Sequence, residues 1–410
     1  MTLPTLAEIE RARETVEGVI QQTPMELSRH LSKALGSTVH LKCENLQRTG
    51  AYKIRGAYNL LSQLTEEERA RGVVAASAGN HAQGVAYAAS ALGIQSTIFM
   101  PHGAALPKLQ ATRDYGAETR LRGLVFQETL AAALEFARET GATFVPPYDH
   151  PAIIAGQGTV GLEVLDQTPD VETVIVPIGG GGLISGVAIA LKERARQLGR
   201  EIRVIGVQAS GASAFAPSLE AGQPTTIAIR PTIADGIAVS RPGDLTFEAV
   251  RDHVDEIVAV DDDDIATALI VLLERAKLVV EPAGAVGVAA ILKGLVKDAG
   301  TTVVLLSGGN IDPMFMERVI ARGLAASQRY LTMRLSLPDR PGQLAIIAQI
   351  VSDEGANVVE VLHTQHDEWT GILDVTLDLS MTTRGAEHSQ QVLEALRRAG
   401  YDPKIKSAIR

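Results

Sequence analysis

The stretch Arg48 to Tyr58, RTGAYKIRGAY, sets Lys53 between a turn of small residues (Thr49, Gly50, Ala51) and a run of helical character. Taken alone, Lys53 reads as a solvated surface cation. At the start of a helix, however, the positive end of the helix dipole and partial burial both favour the neutral amine, the nucleophilic form that a Schiff base requires. Three other segments supply partners for such an amine. IGGGGLISG (178–186) has consecutive glycines whose N–H groups can turn inward, just ahead of a helix beginning near Leu183. It fits a phosphate cradle or, equally, a tight strand-to-helix turn. SAGNHAQG (77–84) groups Ser77, Asn80, His81 and Gln83 at a helix start, with Ser77 and Asn80 as candidate caps and free N–H groups suited to a carboxylate. SGGNID (307–312) sets the hydroxyl of Ser307 directly after an apolar run. A lysine at a helix start facing an anion cradle is placed to meet a phosphorylated aldehyde.

These segments need a scaffold, and the surrounding sequence describes one. Short β-branched runs alternate with longer amphipathic ones from about residue 38 to about residue 320. Strands are expected at 38–44, 73–77, 96–100, 143–147, 173–178, 202–208, 256–260 and 302–307, and helices at 80–92, 107–115, 126–140, 183–198 and 263–277. This is the pattern of βαβ units, hence of mostly parallel sheets covered by helices on both faces. So many strands predict two sheets, with ligands beyond the carboxyl ends of the strands. A fourth glycine-rich segment, AGQGT (155–159), follows a strand candidate and is expected to form another such loop. Composition changes near residue 325, and a βαββα pattern follows, with strand-like residues at 371–380, a helix at 387–399 and a last short strand at 403–407. That predicts a separate, small α+β domain.

Composition narrows the function classes. With 410 residues, 46% hydrophobic and 21% charged, the chain is long enough for two or three cored domains. The net charge of -10, with basic residues scattered, argues against nucleic acid as a partner and for small metabolites. A single cysteine, Cys43, excludes an internal disulfide or a cysteine-rich metal cluster. The acidic N-terminal segment reads as an amphipathic helix, not a signal peptide, and apolar runs such as 265–273 fall short of the roughly 18 residues of a membrane span. A cytoplasmic location without membrane contact is expected. Asp261 to Asp264 read as a cap with first-turn charges, and His363 and His366 have no helix or further ligand to make a metal site.

The ordered motifs TGAYKIRGAYN (49–59), SAGNHAQGVAYAA (77–89), AGQGTVGLEVL (155–165), IGGGGLISG (178–186), TIADGIAV (232–239), EPAGAV (281–286) and SGGNID (307–312) resemble those of the fold-type II pyridoxal-phosphate enzymes. Within them the chain is similar to the threonine dehydratases over about residues 5–322. The resemblance implies a tryptophan synthase β-like catalytic region, residues 1–322, of two open α/β domains, the smaller (about 50–150) inserted in the larger. A linker at 323–329 would follow. The remainder, 330–410, resembles one ferredoxin-like ACT domain, marked by Asp339-Arg340-Pro341-Gly342 and GANVVEV (355–361).

Roles follow from the resemblance position by position. Lys53, preceded by Tyr52 where the family commonly has phenylalanine, matches the Schiff-base lysine that later removes the α-proton. Gly179, Gly180, Gly181, Gly182 and Leu183 match the phosphate cradle of pyridoxal 5'-phosphate. Asn80 matches the residue bonding the cofactor's 3-hydroxyl, and Ser77, Ala78, Gly79, Asn80 and His81 the loop that holds the substrate carboxylate. Ser307 matches the hydroxyl at the pyridine nitrogen, a neutral partner that suits β-elimination. The implied reaction turns L-threonine into 2-oxobutanoate and ammonia, and L-serine into pyruvate. Serine or 3-hydroxyaspartate dehydration and a non-catalytic amino-acid sensor are the alternatives. Ala78 stands where related racemases carry a serine, which favours a lyase, and Gln208 and Ala214 replace the acids of a divalent site, which leaves room for a monovalent cation. The ACT resemblance implies allosteric control by a branched-chain amino acid through residues 338–360, and the family implies a homodimer or homotetramer.

Overall fold

The structure, a computed structural model, describes residues 2–326, 329–365 and 374–406. The chain forms two compact units, Met1–Asp312 and Pro313–Arg410.

The first unit contains ten strands: β1 (Met25–Leu27), β2 (Val39–Lys42), β3 (Val73–Ala76), β4 (Ser96–Met100), β5 (Glu118–Leu121), β6 (Thr143–Phe144), β7 (Thr173–Pro177), β8 (Arg203–Ala209), β9 (Glu256–Val260) and β10 (Thr302–Leu305). They build a six-stranded sheet in the order β1-β2-β10-β7-β8-β9 and a four-stranded sheet in the order β5-β4-β3-β6. All pairings are parallel except β1 with β2. β3, β4, β7 and β10 are buried along their whole length, which is why they read as unbroken apolar runs. Two sheets were expected; β1 and β5 were not. β5 carries the polar sequence ETRL at a sheet edge, where no second neighbour demands apolar residues. β6 stops two residues into the expected 143–147 because Pro146 and Pro147 have no N–H to continue a ladder.

The N-terminal segment forms the helix Leu6–Val16, started by a capping box of Thr5 and Glu8. Helices Asn80–Ala91, Leu106–Asp114, Phe126–Thr140 and Gly182–Gln197 lie where the periodicity places them. The expected helix 263–277 is Asp262–Val271, capped by Asp261, continued by a π-helical turn at Leu272–Ala276 and closed at Lys277 with φ +61°.

AGQGT is not a loop. It lies inside a 17-residue helix, Pro151–Gln167, that is buried from Ala152 to Val164. A helix buried all round has no polar face, so the period that announces amphipathic helices is missing. Its glycines are contact points: a Cβ on Gly156 would stand 2.6 Å from the Arg55 carbonyl oxygen, and one on Gly158 2.9 Å from that of Gly186. Backbones of the helices Lys53–Ser62 and Gly182–Gln197 thus approach this central helix directly.

A buried charge cluster locks the same junction. Arg55 donates from Nε and Nη2 to both oxygens of Glu44 at 2.8 Å, and from Nη1 to Glu163 Oε1 at 2.6 Å. Lys42 Nζ donates to Glu163 Oε2 at 2.6 Å, to the Thr23 carbonyl and to Gln167. Two cations and two carboxylates balance, and the first turn of the Lys53 helix is anchored from beneath.

The second unit begins with the helix Pro313–Ala326, which runs into the segment expected as a linker; residues 327 and 328 lie outside the described residues. Its strands are β11 (Tyr330–Pro338), β12 (Asn357–Thr364), β13 (Asp374–Thr382) and β14 (Lys404–Ile405), in the order β12-β13-β11-β14, all antiparallel. β11 alternates, with Leu331, Met333, Leu335 and Leu337 buried against Ile347 and Val351 of the helix Gln343–Asp353 and Val392 and Leu396 of the helix Ala386–Arg398. The Asp339-Arg340-Pro341-Gly342 turn ends with Gly342 at φ +91°, directly before the helix Gln343–Asp353. His363 is on β12, whereas His366, the first three residues of the strand expected at 371–380, and 407 of the last expected strand lie outside the described residues.

Candidate functional site

A cavity of about 800 Å³ opens at the carboxyl ends of β3, β6, β7 and β10, and the residues matched to the cofactor and substrate line it: Tyr52, Lys53, Ser77, Ala78, Gly79, Asn80, His81, Gly179, Gly180, Gly181, Gly182, Leu183 and Ser307; Gln83 does not. These come from four separate stretches. The parallel topology gathers them, because every β-strand in it delivers its following loop to the same edge.

Lys53 is the first residue of the helix Lys53–Ser62. Its Nζ donates 2.8 Å to the carbonyl oxygen of Pro147, just past the point where the prolines end β6. Burial pushes the amine down to about 8, against the opposing pull of Glu281. Its loop is stitched to that of Ser307: Tyr52 N donates to the Ser307 carbonyl, Gly309 N to the Gly50 carbonyl, and Ala51 and Gly308 form an antiparallel bridge. Amine and hydroxyl are thereby fixed relative to each other.

The glycine run follows β7 and leads into the helix Gly182–Gln197, with Gly181 at φ +98°. Here the absence of side chains is enforced. A Cβ on Gly180 would meet the Tyr148 ring at 2.4 Å, and one on Gly182 would meet Tyr148 Cβ at 2.9 Å. Thr246 Oγ1 donates to the Gly180 carbonyl at 2.6 Å, while the Asp149 carboxylate accepts from the N–H groups of Asp244, Leu245 and Thr246. The result is a rigid loop that presents unpaired N–H groups at the start of a 16-residue helix, a shape suited to a phosphate.

The Ser77–His81 turn differs from its expected capping. Gly79, not Ser77 or Asn80, precedes the helix Asn80–Ala91, and Ser77 Oγ accepts from Gly79 N. Asn80 is instead held from two sides: its Nδ2 donates to Glu281 Oε1 at 2.7 Å and its Oδ1 accepts from Asn310 Nδ2 at 2.9 Å. A helix start surrounded by a second loop offers the amide better partners than its own backbone. His81 is buried, and burial followed by the nearby Lys53 pushes it down to about 3, so the neutral ring donates from Nε2 to the Val145 carbonyl at 2.9 Å.

Several residues of the site were not singled out from the sequence. Glu281 is buried beside Asn80, and burial, then Asp235, push its carboxyl up to about 7. Lys108, Tyr148, Asp235 and Arg241 also line the cavity. A glutamate ahead of a proline-started helix in EPAGAV was the available signal, and it reads equally as a cap. Where the related racemases carry the acids of a divalent site, Gln208 Oε1 here accepts from Phe215 N and Ser213 Oγ.

The chain is similar to known proteins over most of its length. Residues 16–308 match the pyridoxal-phosphate dependent enzymes. The chain is 47% identical to an L-threonine ammonia-lyase of Thermotoga maritima, over 98% of this chain and 99% of that protein. Among solved structures it is similar to threonine deaminase isoform 2 from Solanum lycopersicum, with TM-score 0.73 and 35% identity over 78% of this chain and 96% of that one. It is also similar to maize serine racemase, with TM-score 0.73 and 36% identity over 78% and 98%.

Proposed function

The chain belongs to the pyridoxal-phosphate dependent enzymes, and from that premise we propose that it converts L-threonine to 2-oxobutanoate and ammonia, and L-serine to pyruvate. The observation that carries this is the joint placement of a recessed Lys53 amine, a glycine cradle that admits no Cβ and the Ser307 hydroxyl around one cavity. These residues fit the cofactor. The loop Gly179 to Gly182 with Leu183 would hold its phosphate, Ser307 its pyridine nitrogen, Asn80 its 3-hydroxyl and Lys53 its carbonyl carbon, and Tyr52, its ring 5.2 Å from the Lys53 amine, would add to the cofactor pocket. Bound there, pyridoxal phosphate supplies an electron sink for the charge that develops at Cα.

The protein's own residues do the rest. The N–H groups and hydroxyl of Ser77, Ala78, Gly79, Asn80 and His81 orient the substrate carboxylate. Lys53 Nζ, once free, takes the Cα proton, a step favoured by an amine already near 8. A neutral His81 adds no competing cation. Ala78 offers only a methyl group, so no second acid or base stands there to return the proton to the opposite face. Loss of the β-hydroxyl and hydrolysis then release the keto acid and ammonia.

The reading extends to the whole chain. Residues 1–322 form the catalytic part, with the sheet of β3 to β6 as its small subdomain; 323–329 link it to an ACT domain at 330–410. The βαββαβ order and the Asp339 to Gly342 turn support that assignment. Through it, L-isoleucine or L-valine would shift activity; an unchanged threonine saturation curve with either present refutes this. No helix of the described residues is long and apolar enough to cross a membrane, and we place the protein in the cytoplasm as a homo-oligomer.

The test is release of 2-oxobutanoate from L-threonine by the cofactor-loaded protein, with Lys53→Ala as control. Turnover and a yellow cofactor band, both lost in Lys53→Ala, are expected. A cofactor band that responds to amino acids without product would favour a sensor.

A further inference from the structure

The side-chain amide of Asn80 has two ends, and the site pairs each with a different partner. Its Oδ1 accepts from Asn310 Nδ2 at 2.9 Å, and its Nδ2 donates to Glu281 Oε1 at 2.7 Å. That nitrogen carries a second hydrogen, for which no acceptor stands among the described residues, and Asn80 lines the cavity. Room for both partners is built into the backbone: a Cβ on Gly50 would run into Asn310 Oδ1, and one on Gly308 into Glu281 Oε1.

The two partners constrain Asn80 unequally. Asn310 Nδ2 also donates to the Thr49 carbonyl at 2.7 Å. A backbone carbonyl only accepts, so the nitrogen of the Asn310 amide is the end that faces Thr49 and Asn80, and it offers Asn80 nothing but a donor. Glu281 is not held in this way. Ionised, it only accepts and so requires Asn80 Nδ2; protonated, it also donates, and Asn80 Oδ1 would serve it equally well. Its carboxyl is held at about 7, raised by burial and Asp235 against Lys108, the Asn80 hydrogen bond and Lys53; Tyr52 faces it as well. Both forms of Glu281 are therefore present near neutral pH.

Resting on the cofactor placement above, we propose that Asn310 is the positioning residue that locks the Asn80 amide with its nitrogen toward the cofactor's 3-oxygen. Without Asn310 the amide is free to turn over whenever Glu281 carries its proton. The cofactor's 3-oxygen then meets a carbonyl oxygen in place of an N–H, and one hydrogen bond is lost. With Glu281 ionised, the carboxylate alone keeps the nitrogen in place. Asn310 thus frees the Asn80 contact from the protonation state of its neighbour.

The experiment titrates pyridoxal phosphate into the cofactor-free full chain at about pH 5.5 and about pH 8.5, on either side of the Glu281 value. Relative to wild type at the same pH, Asn310→Ala should bind at least about fivefold more weakly at the lower pH, the worth of one hydrogen bond, and less than about twofold more weakly at the higher. Asn310→Leu, similar in size and without a donor, carries the same expectation if the alanine variant does not fold. Adding Glu281→Gln should abolish the pH dependence, because glutamine offers a donor and an acceptor at both pH values. A deficit equal at both pH values would be that of a merely structural residue and overturns the proposal, as does the absence of any deficit or a pH dependence that survives Glu281→Gln. None of these readouts needs turnover. A wild type that binds the cofactor and shows this pattern but deaminates nothing sinks the lyase reading and leaves the Asn310 lock standing; a wild type that binds no cofactor sinks both.

Discussion

Glu281 offers a quantitative check on the electrostatics of the site. Its carboxyl is 4% exposed and held at about 7, against 4.5 for an ordinary glutamate, by burial and by Asp235. A carboxyl whose folded value lies above its unfolded value adds stability that is complete below about 4.5 and disappears as pH rises through about 7. Inserting both values into the linkage relation gives a loss of about 2.5 kcal/mol between pH 5 and pH 8 from this one group. Glu281→Gln keeps the shape and an acceptor for Asn80 but has no proton to titrate. The assay is urea unfolding of the cofactor-free protein at half-unit steps from pH 5 to pH 8, wild type beside variant. Groups common to both proteins drop out of the difference to first order. The wild type should lose about 2.5 kcal/mol relative to the variant across the range, with half of the loss reached by about pH 6 and the curve levelling off above about 7. A difference that stays flat with pH would mean that Glu281 is ionised throughout, and the description of a buried, half-titrated carboxyl beside Asn80 would be wrong.

Three further substitutions probe the scaffold. Gly180→Ala drives a methyl group into the Tyr148 ring, so cofactor affinity should fall by at least about tenfold, equivalent to about 1.4 kcal/mol, measured by titrating pyridoxal phosphate into the cofactor-free protein. Gly156→Ala pushes against the Arg55 carbonyl oxygen and should cost about 1–3 kcal/mol of stability in thermal or urea unfolding, as over-packing generally does. Glu163→Gln leaves Lys42 without its carboxylate and Arg55 with one fewer; a loss of about 3–5 kcal/mol is expected for a broken buried ion cluster, and a variant as stable as wild type would show that the cluster is not balanced as described.

Much of this molecule was readable along the chain. The strands β3, β4, β7 and β10 announce themselves because a strand buried on both faces must be apolar at every position. The glycine run, Ser307 and Lys53 stand out because each sits where a strand gives way to a loop or helix. That much depends only on neighbours in sequence. The helix Pro151–Gln167 was hidden for the opposite reason: contacts on all sides removed its period, and its glycines, which look like loop residues, are the places where other backbones touch it.

The chemistry of the site was settled later still. Lys53 is a cavity amine near 8 because Pro147, ninety-four residues away, ends a strand and turns its carbonyl toward the amine, and because the fold withdraws water from it. Asn80 is clamped by Glu281 and Asn310, and Lys108 is neutralised by Asp235, through contacts more than a hundred residues apart in sequence. The sequence by itself determined which side chains were available and which segments would be strands or helices, since both follow from local sterics and polarity. Only the tertiary structure decided their charge, partners and common focus, because desolvation and Coulomb forces depend on distance in space and not on distance along the chain.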